Sequence, residues 1–488
     1  MGLLLLSLLV LHAWAIEGDA RSVQGPSRLN TKALRLATGK KIARPNMPPE
    51  ETGVDGAYES DMKLTPEQMM MIGNDGQPGG SRYRRKAVAQ DQYLWPNNIV
   101  AYEFDSDLPS NYRDNIRRAI HHWEDLTCIR FREYSPGLGD ESRVKFYQGA
   151  GCQSAIGRIA GGQETSIGSR CNTMGSIAHE IGHVLGFYHE QSRPDRDEHV
   201  SVHMENVTPK FQYNFKKYGT SQVRTDEPYD IGSVMHYGSL YYSKDGKSPT
   251  ILPKEDGVKG FMGQRDGLSF MDVKTANDLY GCAAHCPSSL HCNNMGFMGA
   301  DCTCMCPWGL TGDTCDEVIS STAHCGGVLT TRDGTFTTPN YPNGYGGPVT
   351  CHWLILGPPG SSIKLWFNKF EMEDDEDAPC GYDWVEVRTL GPHLVGPKMC
   401  GNGPSTHFEH DSNALYVRFQ SDDSYNDFSG FEAGYSIEGG SVGWGPWAPW
   451  SACSKACGGG TRIRLRTCHV AKCVGPSMQP EVCNTHTC

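Results

Sequence analysis

The chain has 488 residues, 20 cysteines and a formal net charge of −12 at pH 7. This length exceeds what one hydrophobic core usually organises, so we expect several domains. The acidic balance argues against a general nucleic-acid-binding protein. Beyond the N-terminal segment, no apolar run is long enough to span a membrane. The cysteine content favours disulfides formed in an oxidising compartment.

The first segment is a leucine-rich run that ends in Ala13-Trp14-Ala15. A short apolar run followed by a small-x-small cleavage pattern predicts a signal peptide over residues 1–15, and therefore a secreted protein. No Lys or Arg precedes the run. The alternative is a membrane anchor, which the shortness of the run disfavours.

Residues 16–85 are polar, contain no cysteine and end in the basic sequence R-Y-R-R. Apolar and aromatic content rises directly afterwards. We therefore interpret residues 16–85 as a propeptide and Arg85 as the cleavage site of a furin-like activating protease. The alternative is that the basic cluster is simply a solvated loop.

Residues 86–282 are predicted to form a domain of mixed helices and strands. The alternating segment 99–104 predicts a strand. Residues 111–126 carry apolar side chains at helical spacing, and Trp123 is among those expected to face the core.

The same domain contains H-E-I-G-H at residues 179–183, followed by Gly186 and His189. On a helix, His179 and His183 share one face and can aim at one point. Gly186 can adopt a left-handed backbone, which ends the helix and brings His189 back. Three imidazoles with one open position are the pattern of catalytic zinc, and Glu180 is placed to act as general base. The alternative is three unrelated histidines on a helix surface.

H-E-x-x-H-x-x-G-x-x-H is the metzincin signature. Glu190, which follows the third histidine, and S-V-M-H-Y at residues 233–237 resemble the astacin family of zinc proteases. The resemblance implies that Met235 forms a hydrophobic floor under the metal. It also implies that Tyr237 is an additional zinc ligand that moves to stabilise the transition state. In such proteases Glu190 would receive the new amino terminus, here Lys86.

The resemblance extends to the predicted propeptide, where Y-E-S-D at residues 58–61 is similar to the astacin F-x-G-D motif with Phe and Gly replaced. It implies that Asp61 fills the open zinc position in the latent chain, which suits a carboxylate. It also implies that residues 157–162 lie on the edge strand that binds substrate.

For the cysteines of this domain, the resemblance suggests that Cys128 pairs with Cys282 and Cys152 with Cys171. The residues alone leave the pairing open. Asn206 begins the one N-x-S/T sequon of the chain. We expect N-glycosylation there, although such sequons often go unused.

Residues 283–316 hold six cysteines and are too short for a hydrophobic core, so disulfides must staple them. The segment resembles an EGF-like module. Its crowded cluster of cysteines at 302, 304 and 306 leaves the disulfide pairing open, and it lacks the acidic lead-in of calcium-binding modules.

Residues 325–437 contain many short alternating segments, which predict an all-β sandwich. Landmarks such as C-G-G at 325–327, P-N-Y-P at 339–342 and Y-D-W at 382–384 resemble a CUB domain. Its cysteines are expected to form disulfides; they are Cys325, Cys351, Cys380 and Cys400.

Some CUB domains bind Ca²⁺ through one Glu and two Asp side chains. The matching residues are Glu373, Asp383 and Asp422, and hard oxygen ligands suit the ion. The alternative is a solvated acidic loop.

Residues 441–488 resemble a thrombospondin type 1 repeat. Tryptophans at 444, 447 and 450 and arginines at 462, 464 and 466 can interleave as a cation–π ladder. The ladder serves first as a structural device for a module without a core. The alternative is a site for polyanions such as glycosaminoglycans.

The order of these modules resembles nematode astacins tied to cuticle moulting and hatching. It implies a secreted zinc endopeptidase, made as a latent zymogen, that hydrolyses extracellular matrix or cuticle proteins, collagen among them. A soluble growth-factor antagonist is an alternative substrate, and the sequence does not distinguish between it and cuticle collagen. An alternative of another class is a proteolytically inactive matrix-binding protein acting through its CUB and thrombospondin modules. The intact metal motif opposes that alternative.

Overall fold

The computed structural model describes most of the chain. The described residues are 58–73, 87–88, 91–135, 142–219, 227–287, 290–374, 380–404, 407–424, 427–439, 448–457, 459–466 and 477–484. The predicted signal peptide, Arg85, Lys86, Trp444 and Trp447 lie outside these residues. No helix in the described part of the chain is long and apolar enough to cross a lipid bilayer.

The described part of the predicted propeptide lies against the domain that follows it. It comprises strand β1 (Met62–Lys63) and helix α1 (Pro66–Gly73). Strand β1 pairs in parallel with Ser154–Ala155 of that domain. In α1, Gln68 donates from Nε2 to the carbonyl oxygen of Ile156 at 2.9 Å. Two consecutive elements therefore hold the segment to one edge of the domain.

The N-terminal domain combines a parallel sheet with three helices. Its elements are β2 (Ile99–Phe104), α2 (Ser110–Leu126), β3 (Arg130–Glu133), β4 (Val144–Tyr147), β5 (Ser154–Ala155), β6 (Gln163–Ser166), α3 (Met174–Val184), β7 (Val200–Val202), β8 (Ile251–Pro253) and α4 (Phe270–Leu279). The main sheet has the order β3-β2-β4-β6, and all its strand pairs are parallel. The predicted strand at 99–104 and helix at 111–126 are present, with the helix beginning one residue earlier.

Helix α2 supports helix α3 from behind. Trp123 of α2 is fully buried and donates from its indole nitrogen to the carbonyl oxygen of Ala178 at 3.0 Å. Its ring also lies 5.7 Å from that of Phe187 in an edge-to-face contact. Truncating such a tryptophan costs about 3–5 kcal/mol in other cores. The stripe predicted on α2 is thus the surface that holds α3 in place.

Two disulfides brace this domain. The structure joins Cys128 to Cys282 and Cys152 to Cys171. The first bond links the end of α2 to the end of the domain across 154 residues. No cysteine among the described residues is free.

The module that follows contains two small hairpins. Its strands are β9 (Phe297–Met298), β10 (Cys304–Met305), β11 (Leu310–Thr311) and β12 (Glu317–Val318). Its disulfides are Cys286–Cys302, Cys292–Cys304 and Cys306–Cys315. They settle the pairing that the crowded cysteines left open.

The predicted CUB domain is a sandwich of two mainly antiparallel sheets. Its strands are β13 (Gly327–Leu329), β14 (Asp333–Thr337), β15 (Thr350–Leu356), β16 (Ser361–Glu371), β17 (Trp384–Val387), β18 (Lys398–Met399), β19 (Phe408–His410), β20 (Ala414–Gln420) and β21 (Gly430–Gly439). The sheets have the orders β13-β15-β20-β17-β18 and β14-β21-β16-β19. The disulfides are Cys325–Cys351 and Cys380–Cys400.

The last module is described by one hairpin, β22 (Gly460–Leu465) and β23 (Met478–Cys483). The guanidinium groups of Arg462 and Arg464 lie 5.0 and 4.7 Å from the centre of the Trp450 ring. This is one step of the predicted ladder. A disulfide, Cys453–Cys483, braces it.

A buried histidine makes the sandwich sensitive to acid. His352 of β15 is 4% exposed, and its Nδ1 lies 2.6 Å from the hydroxyl of Tyr416. Burial, followed by the positive charges of Arg418 and Arg388, lowers the pKa of His352 from 6.5 to about 3. His352 is therefore neutral in the folded domain at pH values where the unfolded chain is already protonated.

Because the folded pKa lies below the unfolded one, the unfolded state binds more protons between about pH 3 and 6.5. Stability of this domain therefore falls as the pH is lowered through that window. We expect His352→Gln to make the fall shallower, by up to about 1.4 kcal/mol per pH unit. Hydrogen-exchange protection of β15, compared between the two full chains at each pH, measures this. Parallel pH profiles would contradict it.

Candidate metal centre

Helix α3 is bounded by residues suited to its two ends. At its start, the Thr173 hydroxyl accepts a hydrogen bond from the Ser176 backbone at 3.3 Å and caps the helix. At its end, Gly186 has a φ of +99°, which glycine adopts without strain. A Cβ at Gly186 would also lie 2.7 Å from a methyl group of Val88. The turn and the close approach both require glycine.

The turn brings His189 back to the two histidines of α3. His179, His183, His189 and Asp61 are all buried, and their candidate ligand atoms lie within 4.8 Å of one another. The Asp61 Oδ2 atom lies 3.1 Å from His189 Nε2 and 3.5 Å from His179 Nε2. Neighbouring ligands of a tetrahedral zinc ion stand about 3.3 Å apart. The two distances from Asp61 Oδ2 match this spacing, so Asp61 lies where a fourth ligand would stand.

Backbone contacts orient the imidazoles. The Nδ1 atom of His179 donates to the carbonyl oxygen of Val234, and that of His183 to Phe187, each at 2.8 Å. In this tautomer each Nε2 carries the lone pair that a metal needs. Among the described residues, neither Nε2 has a hydrogen-bond partner. Two buried acceptors without a hydrogen donor at the shared point fit a bound cation.

The charge states of the histidines differ. Burial, helped by Arg265, holds the pKa of His179 well below its usual range, and burial does the same for His183. Burial opposes charging of His189 too, but Asp61 and Glu59 outweigh it and raise the pKa of His189 to about 10. A dication at the shared point would replace that proton, because a metal ligand must be deprotonated.

Glu180 lies on α3 between the two histidines, and Met235 packs against the same helix. The Glu180 carboxylate is fully buried, and its Oε2 accepts a hydrogen bond from the Ser154 hydroxyl at 2.7 Å. Met235 is fully buried under α3, where a Cβ at Gly182 would lie 2.7 Å from its sulfur. Met235 thus packs directly against the metal-motif helix.

Tyr237 is turned towards the predicted propeptide. Its ring centre lies 4.7 Å from that of His189, and its hydroxyl donates to the carbonyl oxygen of Glu59 at 2.7 Å. The Glu59 carboxylate in turn lies 2.6 Å from His189 Nδ1. Sequence reasoning missed Glu59; an acidic residue two positions before Asp61 was the available signal.

Glu190 anchors the loop behind the site. Its Oε1 accepts hydrogen bonds from Arg193 at 3.0 Å and from the backbone of Asp230 at 2.9 Å. Close by, Ala87 bridges to Phe187 as an antiparallel pair. The chain that follows the predicted cleavage site therefore runs beside the turn that leads to Glu190.

The edge strand is shorter than the resemblance implied. Residues 157–162 are not a strand, and the paired residues are Ser154–Ala155, one residue further towards the N-terminus than Ile156. Gly157, Gly161 and Gly162 have positive φ values, which break strand pairing. Asn206, the sequon residue, is partly buried, and its side-chain amide donates to the carbonyl oxygen of Pro249 at 2.7 Å.

Three family matches cover much of the chain. They are Astacin, a family of peptidases, over residues 87–281, the CUB domain over 325–435 and the Thrombospondin type 1 domain over 445–488.

Several curated proteins are similar over a larger span. Protein SpAN of Strongylocentrotus purpuratus is 39% identical over 434 residues, which are 86% of this chain and 68% of that protein. Blastula protease 10 of Paracentrotus lividus is 37% identical over 391 residues, or 78% and 64% of the two chains. Zinc metalloproteinase dpy-31 of Teladorsagia circumcincta is 35% identical over 457 residues, or 90% and 73%. The chain thus spans between 64% and 73% of these relatives.

The protein has three buried imidazoles with the arrangement of a catalytic zinc site, and its domain matches a peptidase family whose similar members are zinc metalloproteinases. The protein is therefore a zinc metalloendopeptidase. The similarity to these relatives extends over most of the chain. The chain belongs to the astacin family of peptidases. Its CUB and thrombospondin modules and its disulfides are features of an extracellular protein.

Proposed function

We propose that the protein is secreted as a latent zymogen and, once cut, hydrolyses extracellular matrix or cuticle proteins. One observation carries the catalytic part of the proposal: three buried imidazoles converge on one point beside a buried glutamate. His179, His183 and His189 would hold a single zinc ion there. When bound, zinc lowers the pKa of water and polarises a peptide carbonyl.

The protein's own residues then move protons and stabilise charge. Glu180 takes a proton from the attacking water and returns it to the leaving amine. Tyr237, once its hydroxyl is released from the Glu59 carbonyl, donates a hydrogen bond to the oxyanion that develops on the scissile carbonyl. Met235 gives the site a rigid apolar support.

Replacing the general base should abolish hydrolysis without emptying the metal centre. We expect Glu180→Gln, secreted and cut after Arg85, to lower kcat on gelatin or casein by about 10²–10⁴-fold. Its zinc content, measured by mass spectrometry, should equal that of wild type. His179→Asn should lose both zinc and activity, and a chelator should silence wild type.

His122→Asn is the matched control, because His122 bonds instead to the backbone of Leu268 at 3.0 Å. This variant should keep its zinc and its activity. Absence of hydrolysis by correctly cut, zinc-loaded wild type would instead favour the proteolytically inactive matrix-binding protein.

Latency is supported by contacts that the predicted propeptide makes inside the site. Asp61 occupies the fourth position around the shared point. Glu59 engages His189 through its carboxylate and Tyr237 through its carbonyl oxygen. The segment would therefore block the open metal position and hold back the oxyanion donor together. Cleavage after Arg85 by a furin-like protease would release it, and Lys86 would then approach Glu190.

The uncut chain should become active when its ligand carboxylate is removed. In an Arg85→Ala chain that cannot be cut, we expect Asp61→Ala to hydrolyse a fluorogenic peptide that the parent leaves intact. Glu59→Gln should release less activity, because an amide still accepts a hydrogen bond at His189. The exposed Glu67 on α1 offers a control, and Glu67→Gln should stay silent. If uncut Asp61→Ala is as silent as its parent, Asp61 is not the latency ligand.

The C-terminal modules are proposed to bring the protease to its substrate. We assign residues 283–316 as EGF-like, on three disulfides within two small hairpins. Arg464, which stacks on Trp450 beside the ion pair of Arg462 with Glu481, is proposed to offer a cationic contact to a glycosaminoglycan. Matrix and cuticle offer both polyanions and structural proteins. Asn206 is proposed to carry an N-linked glycan.

Calcium is proposed for one end of the CUB sandwich. Carboxylate oxygens of Glu373, Asp383 and Asp422 lie within 4.8 Å of one another. Asp383 is fully buried, accepts a hydrogen bond from the Asp422 backbone at 2.8 Å and is bonded to the Tyr345 hydroxyl. Three converging carboxylates repel one another, and a hard cation relieves that repulsion.

Calcium should therefore stabilise the CUB domain. At a hundredfold excess over its Kd, we expect calcium to add about 2.7 kcal/mol to the unfolding free energy. EGTA should reverse the gain, and Asp422→Asn should remove most of it. Asp411→Asn, at an exposed acidic residue on another loop, is the control. A melting temperature indifferent to EGTA would show that these residues form an acidic loop only.

A further inference from the structure

Ser154 contacts both the predicted propeptide and the proposed catalytic base. It lies on β5 and is fully buried, as is Glu180. Its backbone nitrogen donates to the carbonyl oxygen of Asp61 at 2.8 Å. Its hydroxyl donates to Glu180 Oε2 at 2.7 Å. One residue therefore joins the strand that binds an incoming chain to the side chain proposed to perform the proton transfer.

A second hydroxyl completes the arrangement. The hydroxyl oxygens of Ser154 and Thr165, on the neighbouring strand β6, lie 3.3 Å apart, and Thr165 is also fully buried. A serine hydroxyl has one proton to donate, and the nearer acceptor, the Glu180 carboxylate, receives that hydrogen bond. With the Ser154 proton directed at Glu180, the contact between the two hydroxyls has Thr165 as its donor. Hydrogen bonds in such a chain polarise and strengthen one another.

The contact matters because a glutamate side chain has three torsions and a carboxylate that rotates freely. A buried hydrogen bond to a charged group contributes more than one between neutral groups, and it is directional. The spacing of the metal motif fixes the helix but leaves the torsions of the Glu180 side chain open. The hydrogen bond that restrains them comes from β5, which lies next to α3 in space and 26 residues away in sequence.

We propose that Ser154 is a positioning residue that holds the Glu180 carboxylate in the orientation needed to accept a proton, with Thr165 supporting it. Ser154 acts through Glu180 and does not touch the reacting atoms. The inference rests on the proposed role of Glu180. A failure of this inference can be distinguished from a failure of the catalytic proposal. Hydrolysis by the wild-type protein tests the catalytic proposal, whereas the serine variants test only the positioning of Glu180.

The test compares serine variants in the full chain, secreted and cut after Arg85. We expect Ser154→Ala to lower kcat about tenfold to a hundredfold, the range for a hydrogen bond to a charged group. KM should stay within about twofold, because ground-state binding is untouched. Zinc content should equal that of wild type.

Ser166→Ala is the matched control. Ser166 is a buried serine on β6 whose hydroxyl donates to the carbonyl oxygen of Gly151 at 2.6 Å, away from Glu180. Removing it should lower the melting temperature as much as Ser154→Ala does, but leave kcat unchanged. A merely structural role for Ser154 would make the two variants alike in kcat, which would overturn the proposal.

Thr165→Val covers the case in which Ser154→Ala is not secreted or loses zinc. Valine has the shape of threonine without its hydroxyl, so only the distal donor is lost. We expect a two- to fivefold fall in kcat at constant KM, consistent with a neutral hydrogen bond of about 0.5–1 kcal/mol. An unchanged kcat in Thr165→Val, or in folded Ser154→Ala, would overturn the proposal.

Discussion

The convergence of three imidazole nitrogens on one buried point is the constraint on which the rest of this structure depends. A buried acceptor without a donor costs about 1–3 kcal/mol, so such a point persists only if something positive or hydrogen-bonded occupies it. The surrounding packing holds the nitrogens there. Trp123 fixes α3 from behind, Met235 supports it from below, and Gly186 returns the chain so that His189 faces the helix.

Residues 58–61, in the predicted propeptide, place Asp61 and Glu59 beside these imidazoles, and their backbone is strained. Glu59 and Ser60 have φ values of 46° and 72°, in the left-handed region that disfavours residues other than glycine. Asn214 offsets part of this cost by donating to the Ser60 hydroxyl at 2.7 Å. Paired backbone hydrogen bonds between Tyr58 and Met62 close the turn. These contacts let a serine stand where the related motif has glycine.

The features that could be predicted from the sequence are those fixed by the local geometry of a helix or a turn. His179, His183 and Gly186 follow from helical spacing and one backbone conformation, and so does the stripe on α2. Contacts that depend on distant segments could not be predicted in this way. Ser154 reaches Glu180 only because β5 lies beside α3, and Glu59 reaches His189 across 130 residues. The edge strand was predicted at residues 157–162, whereas the paired residues are Ser154–Ala155. The positive φ of Gly157 keeps a strand from continuing there, and the identity of a glycine alone does not give the sign of its φ.

The CUB domain packs directly against the protease domain, which matters for the two proposed functions, matrix binding and proteolysis. A Cβ at Gly232, directly before the segment that carries Met235, would lie 3.1 Å from a methyl group of Val395 in the CUB domain. The Lys398 ammonium of the CUB domain lies 5.1 Å from the Phe261 ring of the protease domain and 3.8 Å from Trp384 of its own. The CUB domain is therefore seated against the loops that support the metal centre. The recruitment of a matrix protein by the CUB domain, as proposed above, would therefore also bring that protein close to the protease domain, so the proposed binding and cleavage are compatible.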